Sequence, residues 1–249
     1  MSVTDLSVVT YNIHKGFSSL NGRFVLPRMR TALAGSGADI VFLQEALGEH
    51  QRHATRHAGW PDDSQFEFIA DSIWPHFAYG KNAIYDEGHH GNAILSRYPF
   101  ESWENIPDFP YPLQASRSLL HGCLVVPGTD RRLHVVCVHF GFLGRERRSQ
   151  VRQLTERIAE HVPADEPLIV AGDFNDWSGL AVSQGRLGLT EAFQKLNGNH
   201  ARTFPAWAPM LPMDRIYCRG LAPVAAERLT GAPWSMLSDH NPLQAWFRL

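Results

Sequence analysis

Polar side chains stand directly after apolar, β-branched runs at several points of the chain. Asn12 follows VVTY, Glu45 follows IVFLQ, His139 follows HVVCV, and Asp173 and Asn175 follow LIVAG. The ends of strands and the loops after them are where a rigid scaffold presents reactive groups. These residues are therefore the first candidates for chemistry.

Glu45 ends the segment DIVFLQE, residues 39–45. A carboxylate directly after a buried strand is poorly placed for a solvated ion pair. It is well placed as a ligand of Mg²⁺, which prefers oxygen donors and generally takes few carboxylates. The competing interpretation is an acidic residue at the start of a helix that begins at Ala46. Glu45 alone does not decide between them.

The segment AGDFND, residues 171–176, places a carboxylate and a carboxamide two positions apart. If strand geometry persists, Asp173 and Asn175 point to the same side. They would then orient a water molecule and donate a hydrogen bond to a phosphoryl oxygen. The alternative is a structural Asx-turn, since Asp and Asn commonly form such turns.

The segment SDH, residues 238–240, precedes an apolar run. Adjacent side chains of a strand point in opposite directions, so Asp239 and His240 serve different neighbours. Asp239 suits a metal ion, and His240 suits a proton or an anion. Asp214, at the start of DRIY, is a candidate to orient His240, although a histidine near a strand end is often purely structural.

Three polar residues from separate predicted strands could form a clamp for a phosphoryl oxygen. They are His139, Asn12 and Arg117, the last of which precedes the run SLLHG. Further histidines could line the same cleft, although 13 histidines in the chain make bystanders certain: His14, His89, His90 and His121.

The composition excludes several classes of protein. Hydrophobic residues make up 44% of the 249 residues, so the chain can bury a core and is expected to form a single domain over residues 1–249. The formal net charge of −2 argues against binding nucleic acid by bulk charge alone. Of the 23 basic residues only Lys15, Lys81 and Lys195 are lysines, and arginine suits bidentate phosphate recognition, although genomic bias also produces such a ratio.

No apolar run is long enough for a membrane helix, and residues 1–6 are too polar for a secretory signal. Three cysteines without a CxxC pattern argue against a disulfide framework or structural zinc. We therefore expect a cytoplasmic monomer without stable membrane insertion.

Short apolar segments predict strands, and two segments have helical periodicity. The predicted helices are residues 27–34 and 145–162. The predicted strands are residues 7–14, 39–43, 92–96, 118–126, 133–140, 167–171, 214–218 and 242–248. Strands outnumber helices and most connections are too short for βαβ crossovers, so the fold class is α/β with largely antiparallel sheets flanked by helices.

Taken in order, these motifs resemble the endonuclease/exonuclease/phosphatase superfamily, which includes DNase I, abasic endonucleases, neutral sphingomyelinases and inositol polyphosphate 5-phosphatases. They are TYNIH, LQE, GNAILSRYP, RSLL, VHF, GDFND, DRIY and SDHNPL, and they span residues 10–243. The segments TYNIHKGF, GHHGNA, GDFNDW and ARTFP are similar to a bacterial subgroup of that superfamily.

The resemblance implies a four-layer sandwich of two central sheets between helices, with the active site at one edge. It implies Mg²⁺ or Mn²⁺ held by Glu45, with Asn12 and Asp239 nearby. Asp173 would orient or deprotonate the attacking water, although the His240–Asp214 pair is the alternative base. Asn175, His139 and His240 would stabilise the transition state. From the residues themselves, Arg117 is a further catalytic candidate, and Asn92, His14, Arg145 and Arg148 are candidates to bind the substrate.

The resemblance implies a metal-dependent phosphoesterase, and two substrate classes compete. A nuclease-type phosphodiesterase is favoured by arginines expected beside the active site, namely Arg145, Arg147, Arg148 and Arg152. A hydrolase of phospholipid head groups or small phosphate esters is favoured by the net charge and by the aromatic and apolar segment 204–213. His14 replaces an acidic residue of the abasic endonucleases, which argues against abasic-site activity. A non-catalytic phosphate-binding scaffold is the least favoured alternative.

Overall fold

A computed structural model describes residues 5–19, 22–57, 59–107, 117–126, 132–178 and 188–248. Its strands are β1 (Asp5–Asn12), β2 (Ile40–His50), β3 (His76–Tyr85), β4 (Gly88–Ser96), β5 (Phe100–Pro107), β6 (Ser118–Val125), β7 (Arg132–His139), β8 (Leu168–Asp173), β9 (Thr190–Glu191), β10 (Asp214–Arg219), β11 (Ala222–Arg228) and β12 (Leu243–Arg248). Its α-helices are α1 (Leu26–Ser36), α2 (Gln51–Arg56), α3 (Gln65–Ala70), α4 (Gly144–His161) and α5 (Ala192–Asn197). Short 3₁₀ turns cover His14–Gly16 and Trp234–Met236.

The strands form two six-stranded sheets with a similar arrangement of pairs. The first sheet has the order β11-β12-β1-β2-β4-β3, and the second has the order β5-β6-β7-β8-β10-β9. Each sheet contains one parallel pair, β1 with β2 and β7 with β8, and its other pairs are antiparallel. The predicted mostly antiparallel architecture is therefore confirmed.

The sheets pack face to face and carry helices on their outer faces. Inward side chains such as Val8 and Phe42 of the first sheet share a core with Val135 and Ile169 of the second. Because successive strand residues face opposite ways, Val9 points outward. It joins a core with residues of α1 and α3, while α4 packs on the outer face of the second sheet. The result is the predicted four-layer α/β sandwich.

The predicted elements that carry apolar runs are present, and all but β2 and β4 have only small shifts of their ends. The helix predicted at residues 145–162 is α4, and the one predicted at 27–34 is part of α1. The strand predicted to end at residue 43 continues to His50, so the helix considered from Ala46 is wrong. Sequence patterns did not indicate β3, β5 or β11, because these strands are polar or half exposed.

Cys123, Cys137 and Cys218 are free and buried. They lie on β6, β7 and β10, three strands of the second sheet. Among the described residues, no helix combines the length and the apolar character that crossing a membrane requires.

Candidate active site

β7 and β8 end, and the antiparallel strand β10 begins, at the same end of the second sheet, and each contributes one polar side chain. His139 of β7 lies opposite Asp173 of β8 in the parallel register, and Asp214 of β10 lies opposite Asp173 in the antiparallel register. All three residues are buried. Sheet pairing alone therefore brings together residues that are far apart in the sequence.

Gly172 allows β7 and β8 to approach closely just before this edge. Its φ is +150°, which side chains rarely allow, and a Cβ there would lie 1.9 Å from the Val138 carbonyl oxygen. A larger residue would push the strands apart directly beside the His139–Asp173 pair.

Asp173 Oδ2 is the point on which polar groups of both sheets converge. Asn12, at the end of β1 in the first sheet, donates from Nδ2 to this oxygen at 3.1 Å. The Nε2 atoms of His139 and His240 lie 3.5 Å and 3.8 Å from the same oxygen. The arrangement surrounds one carboxylate oxygen with potential donors from β1, from β7 and from the segment before β12.

His240 contacts Asp214, the carboxylate predicted from the sequence to orient it. The predicted contact is confirmed, since His240 Nδ1 lies 2.7 Å from Asp214 Oδ2. Burial, the largest single effect, would lower the pKa of His240, but the carboxylates of Asp214 and Asp173 outweigh it and raise the pKa to about 10. His240 is therefore a cation at neutral pH.

The surroundings of His139 favour the neutral ring, in contrast to those of His240. Burial, with a further effect of the Arg117 guanidinium, holds the pKa of His139 well below its usual value, so the ring is neutral. Arg117 Nη1 donates to Nδ1 at 2.8 Å, because a guanidinium can only donate. The proton of the neutral imidazole then lies on Nε2, which faces Asp173.

Asp173 and Asn175 form the Asx-turn that was the structural alternative. The Asn175 amide donates to Asp173 Oδ1 at 2.9 Å, and Asn175 has a φ of +47°, so strand geometry does not continue to residue 175. The side-chain Nδ2 of Asn175 donates to the Phe140 carbonyl at 2.9 Å. The turn occupies Oδ1 of Asp173 and leaves Oδ2 facing the other polar groups. Burial raises the pKa of Asp173 to about 7.

The predicted metal ligands lie at the corresponding edge of the first sheet. Asn12 is opposite Gln44, so Glu45 follows directly. Glu45 sits where the pairing of β2 and β4 shifts register, with a φ of +58°. Ser238 Oγ donates to the Asn12 carbonyl at 2.7 Å, which ties the segment that carries half-buried Asp239 to the end of β1.

The donor set of Glu45, Asn12 and Asp239 fits Mg²⁺ or Mn²⁺, because it consists of carboxylate and amide oxygens. Lys15 Nζ forms an ion pair with Glu45 Oε2 at 3.7 Å, so the expectation that Glu45 is poorly placed for an ion pair is wrong. Among the described residues, one other group could hold an ion: ligand atoms of Asp173, Asp214 and His240 lie within 4.8 Å of one another. The hydrogen bond between Asp214 and His240 already engages two of those residues.

The residues expected to bind substrate fall into two groups. His14 follows the end of β1, where its amide donates to Asn12 Oδ1 at 3.1 Å, and Arg145 and Arg148 are exposed on α4. Asn92 is instead fully buried, and its Nδ2 donates to the Ser118 carbonyl at 3.1 Å, so it supports strand packing rather than an open surface.

Arg147 corrects the expectation that it meets a phosphate beside the scissile one. It is buried, donates to the Gly141 and Phe142 carbonyls, and its guanidinium carbon lies 4.7 Å from the Trp177 ring centroid. Through these contacts Arg147 stabilises the turn between β7 and α4.

The other histidines that were candidates to line the cleft lie in different surroundings. His121 contacts His134 and Arg157, and His89 contacts Tyr79. His90 is buried, and its pKa is lowered to about 4, first by burial and next by the nearby charge of Lys15. Lys15 pairs with Glu45, and His90 lies opposite Leu47, two residues after Glu45 on β2. No sequence pattern indicates a role for Lys15, and none distinguishes His90 from the other histidines.

Comparisons with known proteins identify the family of the chain. The model of the Endonuclease/Exonuclease/phosphatase family matches residues 9–240. The Escherichia coli (strain K12) protein named "Uncharacterized protein YbhP" is 46% identical over 244 residues, covering 97% of this chain and 96% of YbhP. A UPF0294 protein of Vibrio vulnificus (strain YJ016) is 29% identical over 253 residues, covering 98% of this chain and 77% of its own.

Solved structures share the fold. An endonuclease/exonuclease/phosphatase from Beutenbergia cavernae has a TM-score of 0.79 and 22% identity, covering 98% of this chain and 72% of its own. D. rerio TDP2 complexed with single strand DNA product has a TM-score of 0.72 and 21% identity, and the match covers 99% of this chain and 100% of the TDP2 chain. The resemblance predicted from the motifs, including the bacterial subgroup, is confirmed: the chain belongs to the Endonuclease/Exonuclease/phosphatase family.

Proposed function

We propose that the protein is a Mg²⁺- or Mn²⁺-dependent phosphodiesterase that hydrolyses a nucleic acid. The family to which it belongs covers nucleases and phosphatases, so hydrolysis of phosphoester bonds is the common chemistry. The observation that carries the proposal is the convergence of Asn12, His139 and His240 on Asp173 Oδ2. This arrangement suits an attack by water on a phosphorus atom.

Asp173 accepts the proton of the attacking water in this proposal. Its Oδ2 is the acceptor at the centre of the site, and a pKa of about 7 lets the carboxylate take up a proton near neutral pH. Asp214 already holds His240 as a cation, so His240 is a poor proton acceptor. Of the two bases that the sequence left open, the contact between His240 and Asp214 and the raised pKa of His240 support Asp173.

His139 and His240 stabilise the charge that develops on the phosphoryl oxygens. His139 donates from Nε2 as a neutral ring, and His240, whose Nε2 lies 3.8 Å from the same Asp173 oxygen, contributes a positive charge. Donors fixed in advance by Arg117 and Asp214 need little rearrangement during the reaction, which is the main source of such stabilisation.

Glu45, Asn12 and Asp239 would hold the divalent ion. When bound, the ion would neutralise charge on a phosphoryl oxygen and on the departing oxygen. Glu45 follows Gln44, which lies opposite Asn12, and the hydrogen bond from Ser238 Oγ to the Asn12 carbonyl holds Asp239 near the same strand end.

Arg145 and Arg148 support nucleic acid as the substrate. Both are exposed at the start of α4, which follows the active-site residue His139 after a short turn. They can contact phosphates that flank the scissile one. TDP2, whose fold is similar, was solved with a single strand DNA product.

A phospholipid or small phosphate ester is the second candidate substrate. Trp207 and Met210 are 61% and 62% exposed, and their segment is tied to the site because the Ala206 amide donates to the Asp239 carbonyl at 2.7 Å. Exposed apolar side chains beside an active site suit a lipid surface.

A substrate panel with Mg²⁺ and with Mn²⁺ tests the proposal. It includes plasmid, single-stranded DNA and RNA, abasic duplex, sphingomyelin, glycerophosphodiesters and p-nitrophenyl diesters. We expect turnover of polynucleotides, loss of activity in EDTA, and partial rescue of Glu45→Gln by higher Mg²⁺. Glu160→Gln, an exposed glutamate of α4, is the matched control.

Full activity in EDTA would refute metal dependence. Turnover of sphingomyelin or glycerophosphodiesters without turnover of polynucleotides would assign the second candidate instead.

A further inference from the structure

We infer that Gln65 is a positioning residue that joins the loop carrying Lys15 to the part of β2 that carries Glu45. Its side chain is 1% exposed and bonds at both ends. Oε1 accepts from the Leu47 amide at 3.0 Å, and Nε2 donates to the Lys15 carbonyl at 2.8 Å. The inference rests on the proposed function, since it gives Glu45 the role of a metal ligand.

The Leu47 amide needs this partner because β2 continues beyond the end of β1, its parallel neighbour. β1 ends at Asn12, opposite Gln44, and the Ile13 amide donates to the Gln44 carbonyl at 3.1 Å. Leu47 lies beyond that point and is fully buried. A buried amide without a partner is costly, and the side chain of Gln65 replaces the missing strand.

The loop on the other side of Gln65 is strained. His14, Lys15 and Gly16 have successive φ values of +44°, +56° and +79°, and the first two are not glycine. Such conformations persist only where the surroundings fix them. The bond from Gln65 to the Lys15 carbonyl supplies that restraint. The approach is close, since a Cβ on Gly16 would lie 2.8 Å from Gln65 Nε2.

Helix α3 holds Gln65 firmly at its first turn. Ser64 and Glu67 form a reciprocal capping box, with Glu67 Oε2 accepting from the Ser64 amide at 3.2 Å. Phe66 stacks on Tyr79 of β3 with ring centroids 4.3 Å apart. A fixed helix end therefore sets the distance between the two segments, and with it the placement of Glu45 and Lys15.

The test uses Mn²⁺ alone as the probe and measures its affinity by titration calorimetry. Gln65→Met removes both bonds while keeping the length of the side chain. Because loss of a group that orients a metal ligand typically weakens metal affinity by about 10–100-fold, we expect at least about a tenfold rise in the Mn²⁺ Kd. Hydrogen exchange at the Leu47 amide, measured without metal, should become faster.

Two further variants separate positioning from stability. Ile69→Val removes a buried methyl group from the same helix without touching either bond, so its Mn²⁺ Kd should match the wild type. Gln65→Glu keeps an acceptor for Leu47 but loses the donor to Lys15. It should retain slow exchange at Leu47 while weakening Mn²⁺ binding, and it serves as the main variant if Gln65→Met does not fold.

An unchanged Mn²⁺ Kd in Gln65→Met and Gln65→Glu would overturn the inference, as would an equal loss of affinity in Ile69→Val. If the wild type takes up no Mn²⁺, the proposed function fails and so does a role of Gln65 toward a metal. In that case exchange at Leu47 still decides whether Gln65 joins the two segments.

Discussion

Two imidazoles flank the Asp173 carboxylate, and their partners give them opposite charges. Arg117 can only donate, so it fixes His139 as a neutral ring with its proton on Nε2. Asp214 can accept, so it stabilises His240 as a cation. At the scale of single residues, the partner of each ring therefore decides what the ring offers to the centre of the site.

Replacing Asp173 by Asn tests the acceptor at that centre. The amide keeps an oxygen for the Asx-turn, so the protein should fold, but it cannot take up a proton. Removing a positioned general base typically costs about 10²–10⁴-fold in rate, and we expect a fall of kcat in this range. Turnover and a thermal melt measure the two effects, with exposed Asp63→Asn as the control. Turnover close to that of the wild type in a folded Asp173→Asn would show that another group is the base.

Sequence patterns identified residues that carry their own chemistry and missed those that act only by position. The contact between Asp214 and His240 is predictable from the sequence, because a carboxylate commonly orients an imidazole. Gln65 has no such signature, and its partners Lys15 and Leu47 lie 50 and 18 residues away. Arg147 and Arg148 are adjacent in the sequence, yet only the helix geometry shows that the first is buried.

The spacing of β7 and β8 depends on Gly172, so Gly172→Ala tests how strand packing sets the site. A Cβ would meet the Val138 carbonyl oxygen, and the strands must separate beside His139 and Asp173. We expect a loss of stability of about 1–3 kcal/mol or more from the strained backbone, together with reduced kcat. Denaturant unfolding and kinetics measure both losses.

Gly37→Ala is the control for Gly172→Ala. Gly37 also has a positive φ, but its Cβ would meet nothing within 4 Å. It should lose stability without the loss of kcat, and a similar fall of kcat in both variants would contradict the proposed role of strand spacing.

A chain of hydrogen bonds links α4 to the second sheet and makes stability depend on pH. Arg157 Nε donates to His121 Nδ1 at 3.0 Å, His121 Nε2 lies 2.9 Å from His134 Nδ1, and His134 Nε2 lies 2.6 Å from Glu166. Burial, aided by the charge of Arg157, lowers the pKa of His121 to about 3. His121 therefore stays neutral so that it can accept from Arg157.

This series of hydrogen bonds predicts that the protein loses stability in acid. The unfolded state binds a proton at His121 below pH 6.5, whereas the folded state binds it only near pH 3. Between these values the unfolded state holds more protons, so stability falls as the pH falls, by at most about 1.4 kcal/mol per pH unit for this group. His121→Asn should flatten the slope of unfolding free energy between pH 6 and pH 4, relative to pH 8. An unchanged slope would contradict the prediction.

At the scale of elements, the sequence located the strands that are buried on both faces and the one long amphipathic helix. Apolar runs such as LIVAG of β8 have a single plausible structure. β11 has mixed polarity because it lies at the edge of the first sheet, so no clear alternation is visible. The extension of β2 past Glu45 depends on a register shift and on a partner helix, which local patterns do not contain.

The whole molecule carries a net charge of −2, so any binding to a polyanion must depend on a local positive surface. Arg145 and Arg148 are the exposed candidates beside the site. The double change Arg145→Ala and Arg148→Ala should raise KM on a polynucleotide and leave kcat on a small diester unchanged. Each lost phosphate contact should reduce the slope of log K against log salt by about 0.7–0.9.

Arg28→Ala, at an exposed position of α1, is the control for the arginine pair and should change neither quantity. Equal losses on polymer and small diester would show that the two arginines support the catalytic centre instead.

The three buried cysteines give the second sheet a chemical reporter that the first sheet lacks among the described residues. Burial raises the pKa of the thiols of Cys123, Cys137 and Cys218 to about 11, about 12 and about 11. Because the thiolate is the reactive form, an alkylating reagent should modify them only when the sheet opens. Cys137 faces Gln44 of the first sheet, whereas Cys123 lies on β6 beside the edge strand β5. Mass spectrometry after timed alkylation should therefore detect Cys123 first and Cys137 last, which would show that this half of the sandwich opens from its outer edge inward. Simultaneous modification of all three would mean that the sheet opens as a unit.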